Sequence, residues 1–199
     1  MSSTRNIKQR IANVSSVEQI IKAMDMVSST KLHKARAQLN GVRPIYYELK
    51  RITEELSATS ARSHVFYKGH KVRSSLYIIF TSDRGLCGSY NTNIMSKALE
   101  NMNQGKNEKL IIVGSKGNEY FRNKDKNIIH SFTDVDESQM YYASERVAKR
   151  LIEIYLNGEV DEVFVAYTHF ETALSYVPTV ERLLPLTISP ANNFPFICI

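Results

Sequence analysis

From Ile7 to Leu56, apolar or small residues recur at gaps of three or four: Ile7, Ile11, Val14, Val17, Ile21, Met24, Ser28, Leu32, Ala35, Leu39, Val42, Ile45, Leu49, Ile52 and Leu56. That spacing marks one face of an α-helix, and at 1.5 Å per residue a helix of about fifty residues is on the order of 75 Å long. Such a helix outruns any domain that 199 residues can build around it. Its stripe must be buried against another helix, so a coiled coil is expected. Gly41 and Pro44 interrupt the pattern. Pro44 removes one backbone donor, which predicts a bend there rather than an end. The stripe is smallest at Ser28 and Ser29, where a partner could come close.

The net charge of +6 is unevenly placed: residues 1–74 hold 14 Lys/Arg and 5 Asp/Glu, residues 75–199 hold 12 and 15. A basic first part implies an acidic partner, whether nucleic acid, a membrane surface or an acidic protein loop. Lys22, Lys31, Lys34 and Arg36, with His33, flank the stripe in "IKAMDMVSSTKLHKAR". The plain alternative is a solvated helix face. A DNA-binding basic region would pack its Arg and Lys more densely ahead of a leucine heptad, whereas Met24, Met26 and serines dilute the charge here.

After a polar, basic linker the period changes. The expected organisation is a long N-terminal helix over 1–60, a linker over 61–74 and an α/β globular domain over 75–199. Short apolar runs "SLYIIF", "KLIIVG", "NIIHSF" and "EVFVAY" alternate with helical stretches near Asn91–Met102, Lys116–Phe121 and Ser138–Leu156. Strands alternating with helices predict a mostly parallel, Rossmann-like sheet covered on both faces. "TALSYVPTVERLLPLTIS" alternates less cleanly and would add an antiparallel edge strand.

The loop "TSDRGLCGSYNTN" follows the first strand, at the carboxyl end where open α/β sheets bind ligands. A nucleotide site is the first thought, but Gly85 and Gly88 stand three apart without GxGxxG or GxxxxGK[ST], and no acidic residue ends the second strand. Asp83 and Arg84 could act as base and anion clamp; the simpler reading has Asp83 capping the loop or pairing with Arg84. Cys87 beside a helix N-terminus lacks a histidine nearby in sequence to complete a nucleophile pair. Gly114 and Gly117 read as a strand-to-helix turn that needs positive φ.

Two cysteines, Cys87 and Cys198, without CxxC, argue for a reducing compartment, and the five histidines lack metal-ligand spacing. No cofactor or metal is expected. No stretch approaches the roughly 20 apolar residues of a membrane helix. "MSSTRNIKQRI" carries no secretory h-region, so a bacterial cytoplasmic face is the expected place, with the chain either soluble or held at a membrane by partners.

"IKQRIANVSSVEQIIKAMDMVSSTKLHKAR", "TSDRGLCGSYNTN", "IVGSKG" and "VPTVERLLPL" together resemble the gamma subunits of F-type ATP synthases, from Ile7 to about Leu186. The resemblance implies a non-catalytic rotor shaft that couples proton flow to ATP synthesis in catalytic beta subunits. It implies an antiparallel coiled coil of the N-terminal helix with a C-terminal one, inserted into a ring of alternating alpha and beta subunits. An α/β domain would bind the epsilon subunit and the c-ring. Lys22, Met24, Lys31, Lys34 and Arg36 match the stretch facing an acidic loop of beta, and Asp83, Arg84 and Cys87 sit in a loop implied to be structural or subunit-contacting. The chain ends at "NNFPFICI" without a second stripe, and is expected to be a fragment of a longer protein. The alternative is a stand-alone nucleotide-binding α/β protein with a coiled-coil arm.

Overall fold

The computed structural model describes residues 2–57, 64–69, 71–102, 107–136, 139–172 and 175–186. The described chain separates into two compact units, residues 1–52 and 53–199.

The first unit is formed by helix α1, which runs without a break over Ser2–Ser57. Gly41 and Pro44 do not end it. Within a helix a proline forfeits one hydrogen bond and costs about 3 kcal/mol; the strong helix formers lie farther out, at Ala35–Leu39 and Glu48–Arg51. Among the large apolar side chains of the stripe, those from Ile7 to Leu56 are between 41% and 66% exposed, except Leu39, which is half-buried. Short-range pairs such as Lys22–Glu18 at 2.8 Å decorate the surface, but an exposed i,i+4 pair contributes only about 0.3–0.5 kcal/mol. Fourteen steps along the stripe cover forty-nine residues, a mean of 3.5. On a 3.6-residue helix such a stripe drifts by about 20° per heptad, the pattern of a left-handed supercoil.

The second unit is a five-stranded sheet in the order β3-β2-β1-β4-β5. Its elements are β1 (Ser74–Phe80), α2 (Tyr90–Met102), β2 (Asn107–Val113), α3 (Ser115–Arg122), β3 (Ile128–Phe132), α4 (Met140–Leu156), β4 (Glu162–Phe170) and β5 (Tyr176–Leu184). β1 pairs in parallel with β2 and β4, and β2 with β3. β5 runs antiparallel to β4, as the less regular alternation predicts. The strand period of two sorts the apolar runs onto two faces. Leu76, Ile78, Ile111, Val163 and Val165 pack with Val147, Leu151 and Ile154 of α4. Tyr77, Ile79, Leu110, Ile112 and Ala166 pack with Ile94, Met95 and Ala98 of α2 and Phe121 of α3. Both faces of β1 are therefore buried, which is why its sequence reads as a continuous apolar run.

Candidate functional site

The carboxyl end of β1 gathers the loop residues that the sequence singles out. Thr81 extends the ladder, its N–H donating to Val113 O at 2.8 Å. Its hydroxyl accepts from Gly117 N at 2.9 Å, so the start of α3 is held against the strand by one side chain. Two glycines make that approach possible. Gly114 has φ 103°, and a Cβ there would stand 2.2 Å from Thr81 O; at Gly117 a Cβ would stand 2.8 Å from Thr81 Oγ1. Gly114 thus meets the expectation of positive φ, while helical Gly117 is required by packing.

Asp83 caps across the chain. Its Oδ1 accepts from Ser115 N at 2.8 Å, Ser115 Oγ at 2.8 Å and Asp134 N at 3.0 Å. Burial opposes its ionisation, but the hydrogen bonds from Asp134 and Ser115 outweigh that and hold its pKa below the ordinary carboxylate value. The carboxylate sits where the α3 N-terminus attracts an anion. The donors that would cradle a phosphate at this turn are already taken, by Thr81 and Asp83.

Asp83→Ala should lower the stability of this unit by about 1 kcal/mol near neutral pH. A depressed folded pKa means the contribution is complete above the unfolded value of about 3.9 and is lost as pH falls through the folded one. Urea titrations at several pH values should therefore show the gap between wild type and Asp83→Ala closing in acid. A gap that widens there would refute the capping assignment.

The remaining loop folds around Asn91, which is buried. Its Oδ1 accepts from Ser82 N at 2.9 Å, and its Nδ2 donates to Ser82 Oγ at 2.7 Å and Cys87 Sγ at 3.2 Å. Ser82 Oγ in turn donates to Arg84 O at 2.5 Å. Cys87 is exposed, Arg84 is exposed, and Leu86 at the tip is 96% exposed with φ 61°. Thr81, Ser82 and Asn91 were not anticipated as organisers of this loop. The available signal was an Asn at the head of a helix, a residue type that hydrogen-bonds nearby backbone.

On α1 the basic group divides around the stripe. At about 100° per residue, Met24 falls within the stripe, Lys31 and Lys34 on one flank, and Lys22 and Arg36 on the other. Met24 is half exposed, Lys22, Lys31 and Lys34 are exposed, and Arg36 is half-buried. Asp83 does not share the outward display of Arg84 and Cys87; its carboxylate is committed to Ser115 and Asp134.

A family model described as ATP synthase matches residues 3–195. The ATP synthase gamma chain of Moorella thermoacetica is 36% identical over 188 residues, covering 94% of this chain and 67% of that one. The corresponding protein of Alkaliphilus metalliredigens is 34% identical over 183 residues, covering 92% and 63%. This chain thus spans about two thirds of the length of the curated relatives it matches. A chain in the structure of the Tetrahymena thermophila mitochondrial ATP synthase central stalk and c-ring superposes with a TM-score of 0.65 at 24% identity, covering 87% of this chain and 80% of that one. At that identity the likeness speaks for the fold. With a match over nearly its whole length and relatives above 30% identity, the chain belongs to the ATP synthase gamma-chain family.

Proposed function

We propose that this chain acts as the central-stalk shaft of a proton-translocating rotary ATP synthase and carries no catalytic site of its own. The observation that carries the reading is the exposed stripe of α1, a helical face with a 3.5-residue repeat that a second helix would cover in a left-handed coiled coil. Family membership supports an ATP synthase as the assembly, and in this reading alpha and beta subunits surround the shaft while an epsilon subunit and c-ring sit at its base. Met24, Lys31 and Lys34, with Lys22 and Arg36 across the stripe, would meet an acidic beta loop, and opposite charge suits a contact that re-forms at successive beta subunits. Arg84 and Cys87 would serve as subunit contacts from the loop after β1, with Asp83 holding that loop in shape. The described residues contain no helix long and apolar enough to cross a membrane, and we place the chain peripherally at the cytoplasmic side of a bacterial cell membrane, through the c-ring.

The direct test is reconstitution of the chain with alpha and beta subunits. The shaft reading expects incorporation of one copy per ring and a cross-link from cysteine placed at Lys31 to a beta subunit. Rings that assemble and exclude the chain would defeat it.

A second expected outcome separates this reading from a nucleotide-binding protein. Calorimetric titration with ATP or ADP should show no stoichiometric binding at micromolar concentration, because the donors at the turn before α3 are occupied by Asp83 and Thr81. Stoichiometric binding abolished by Gly85→Val would support the alternative.

A further inference from the structure

Helix α1 carries its poorest helix formers near its middle. Residues 40–44 read Asn-Gly-Val-Arg-Pro, and of these only Arg43 is a strong helix former. Pro44 has no N–H, so the helix ladder makes no bond from position 44 back to the Asn40 carbonyl, and the proline ring crowds that same carbonyl. The peptide unit weakened in this way is the one that joins Asn40 to Gly41. Both residues are exposed, and a Cβ added at Gly41 would meet nothing within 4 Å.

An asparagine followed by glycine carries a chemistry of its own, because a glycine without Cβ leaves its nitrogen uncrowded for attack on the preceding side chain. Helical geometry holds the two groups apart, so the attack needs the Asn40–Gly41 peptide to turn out of the helix. The same dipeptide recurs at Asn157–Gly158, where α4 ends. Asn157 is exposed as well, but Gly158 N–H donates to Tyr155 O at 3.1 Å and Glu159 N–H to Ile154 O at 3.1 Å. Ile154 and Tyr155 are buried in the core of the α/β unit, so that nitrogen is freed only when the core yields.

We propose that Asn40 is a site of spontaneous covalent modification, gated by local opening of α1 at Pro44. On opening, the Gly41 nitrogen gives its proton to water and forms a bond to Asn40 Cγ; the Cγ–Nδ2 bond breaks and the amide leaves as ammonia. Water then opens the cyclic imide. Addition at Cγ gives aspartate, and addition at the main-chain carbonyl gives isoaspartate. Either product places a negative charge in α1. Isoaspartate also routes the main chain through an added methylene, which puts the apolar stripe on its two sides out of register.

The test incubates the folded 199-residue chain, dilute and near neutral pH, and follows isoaspartate at each site by peptide mass spectrometry and by enzymatic methylation of the isoaspartyl carboxylate. Asn40 should react at least about tenfold faster than Asn157, because local opening of α1 is easier than opening of the core. Unfolding in urea should bring the two rates together. Pro44→Ala, which restores the ladder bond, should slow the reaction at Asn40 by about tenfold or more and leave Asn157 unchanged. Equal rates at the two sites in the folded chain overturn the proposal, and so does a rate at Asn40 that Pro44→Ala leaves unchanged. Either result leaves the shaft reading standing, since the reaction is followed without any partner.

Discussion

Gly114→Ala is expected to cost the α/β unit on the order of 3–5 kcal/mol, because it adds backbone strain to a steric conflict that no side-chain rotation relieves. The glycine holds φ 103° and the added Cβ would lie 2.2 Å from the carbonyl oxygen and 2.6 Å from the carbonyl carbon of Thr81. Thr81 cannot retreat, since its N–H is bonded to Val113 O and its hydroxyl to Gly117 N. Domains of this size are stable by only about 5–15 kcal/mol, so the variant should lose much of its cooperative unfolding transition. Near-ultraviolet circular dichroism reads the change through the packed tyrosines Tyr77, Tyr155 and Tyr167. Gly117→Ala provides the contrast. Its conflict is with the Thr81 side chain, at 2.8 Å and 2.9 Å, so Thr81→Ala should rescue Gly117→Ala in part and leave Gly114→Ala unrescued. Equal stability of Gly114→Ala and wild type would show that the turn is not packed as described.

The second large effect is expected on α1. Val17→Asp combined with Ile21→Asp puts two carboxylates one turn apart on the stripe while leaving the solvated flanks intact. An isolated chain should tolerate the pair, because both positions are already more than half exposed. In an assembled complex the same charges would be desolvated against an apolar partner face, at several kcal/mol per unpaired ion. Incorporation into reconstituted rings should therefore fall by more than about a hundredfold, the equivalent of roughly 3 kcal/mol, with the α/β unit still folded by near-ultraviolet circular dichroism. Normal incorporation of the double variant would mean that the stripe faces no partner.

Much of the fold was legible because it rests on period. The 3.5-residue spacing from Ile7 to Leu56 announced α1, and runs such as Leu76–Phe80 announced strands buried on both faces. The weaker alternation around Val177–Leu184 correctly suggested the antiparallel strand β5. The loop after β1 was less readable. Asp83 finds its partners 32 and 51 residues away, a distance that no local pattern encodes. Asn91 organises the loop through burial, and the sequence shows only its residue type. The basic residues of α1 could be placed around the stripe by counting, yet the count says nothing of what they meet.

Hydrogen exchange of α1, measured in the isolated chain and again in the reconstituted complex, tests the central claim most directly. An apolar stripe whose large side chains, Leu39 aside, are 41–66% exposed lacks the tertiary contacts from which most helix stability in proteins comes. The account predicts rapid exchange across residues 7–52 in the isolated chain, or protection that rises with concentration as chains associate through the stripe. In the complex it predicts strong protection over the same residues. Full protection of residues 7–52 in a monomeric isolated chain, unchanged on assembly, would contradict it.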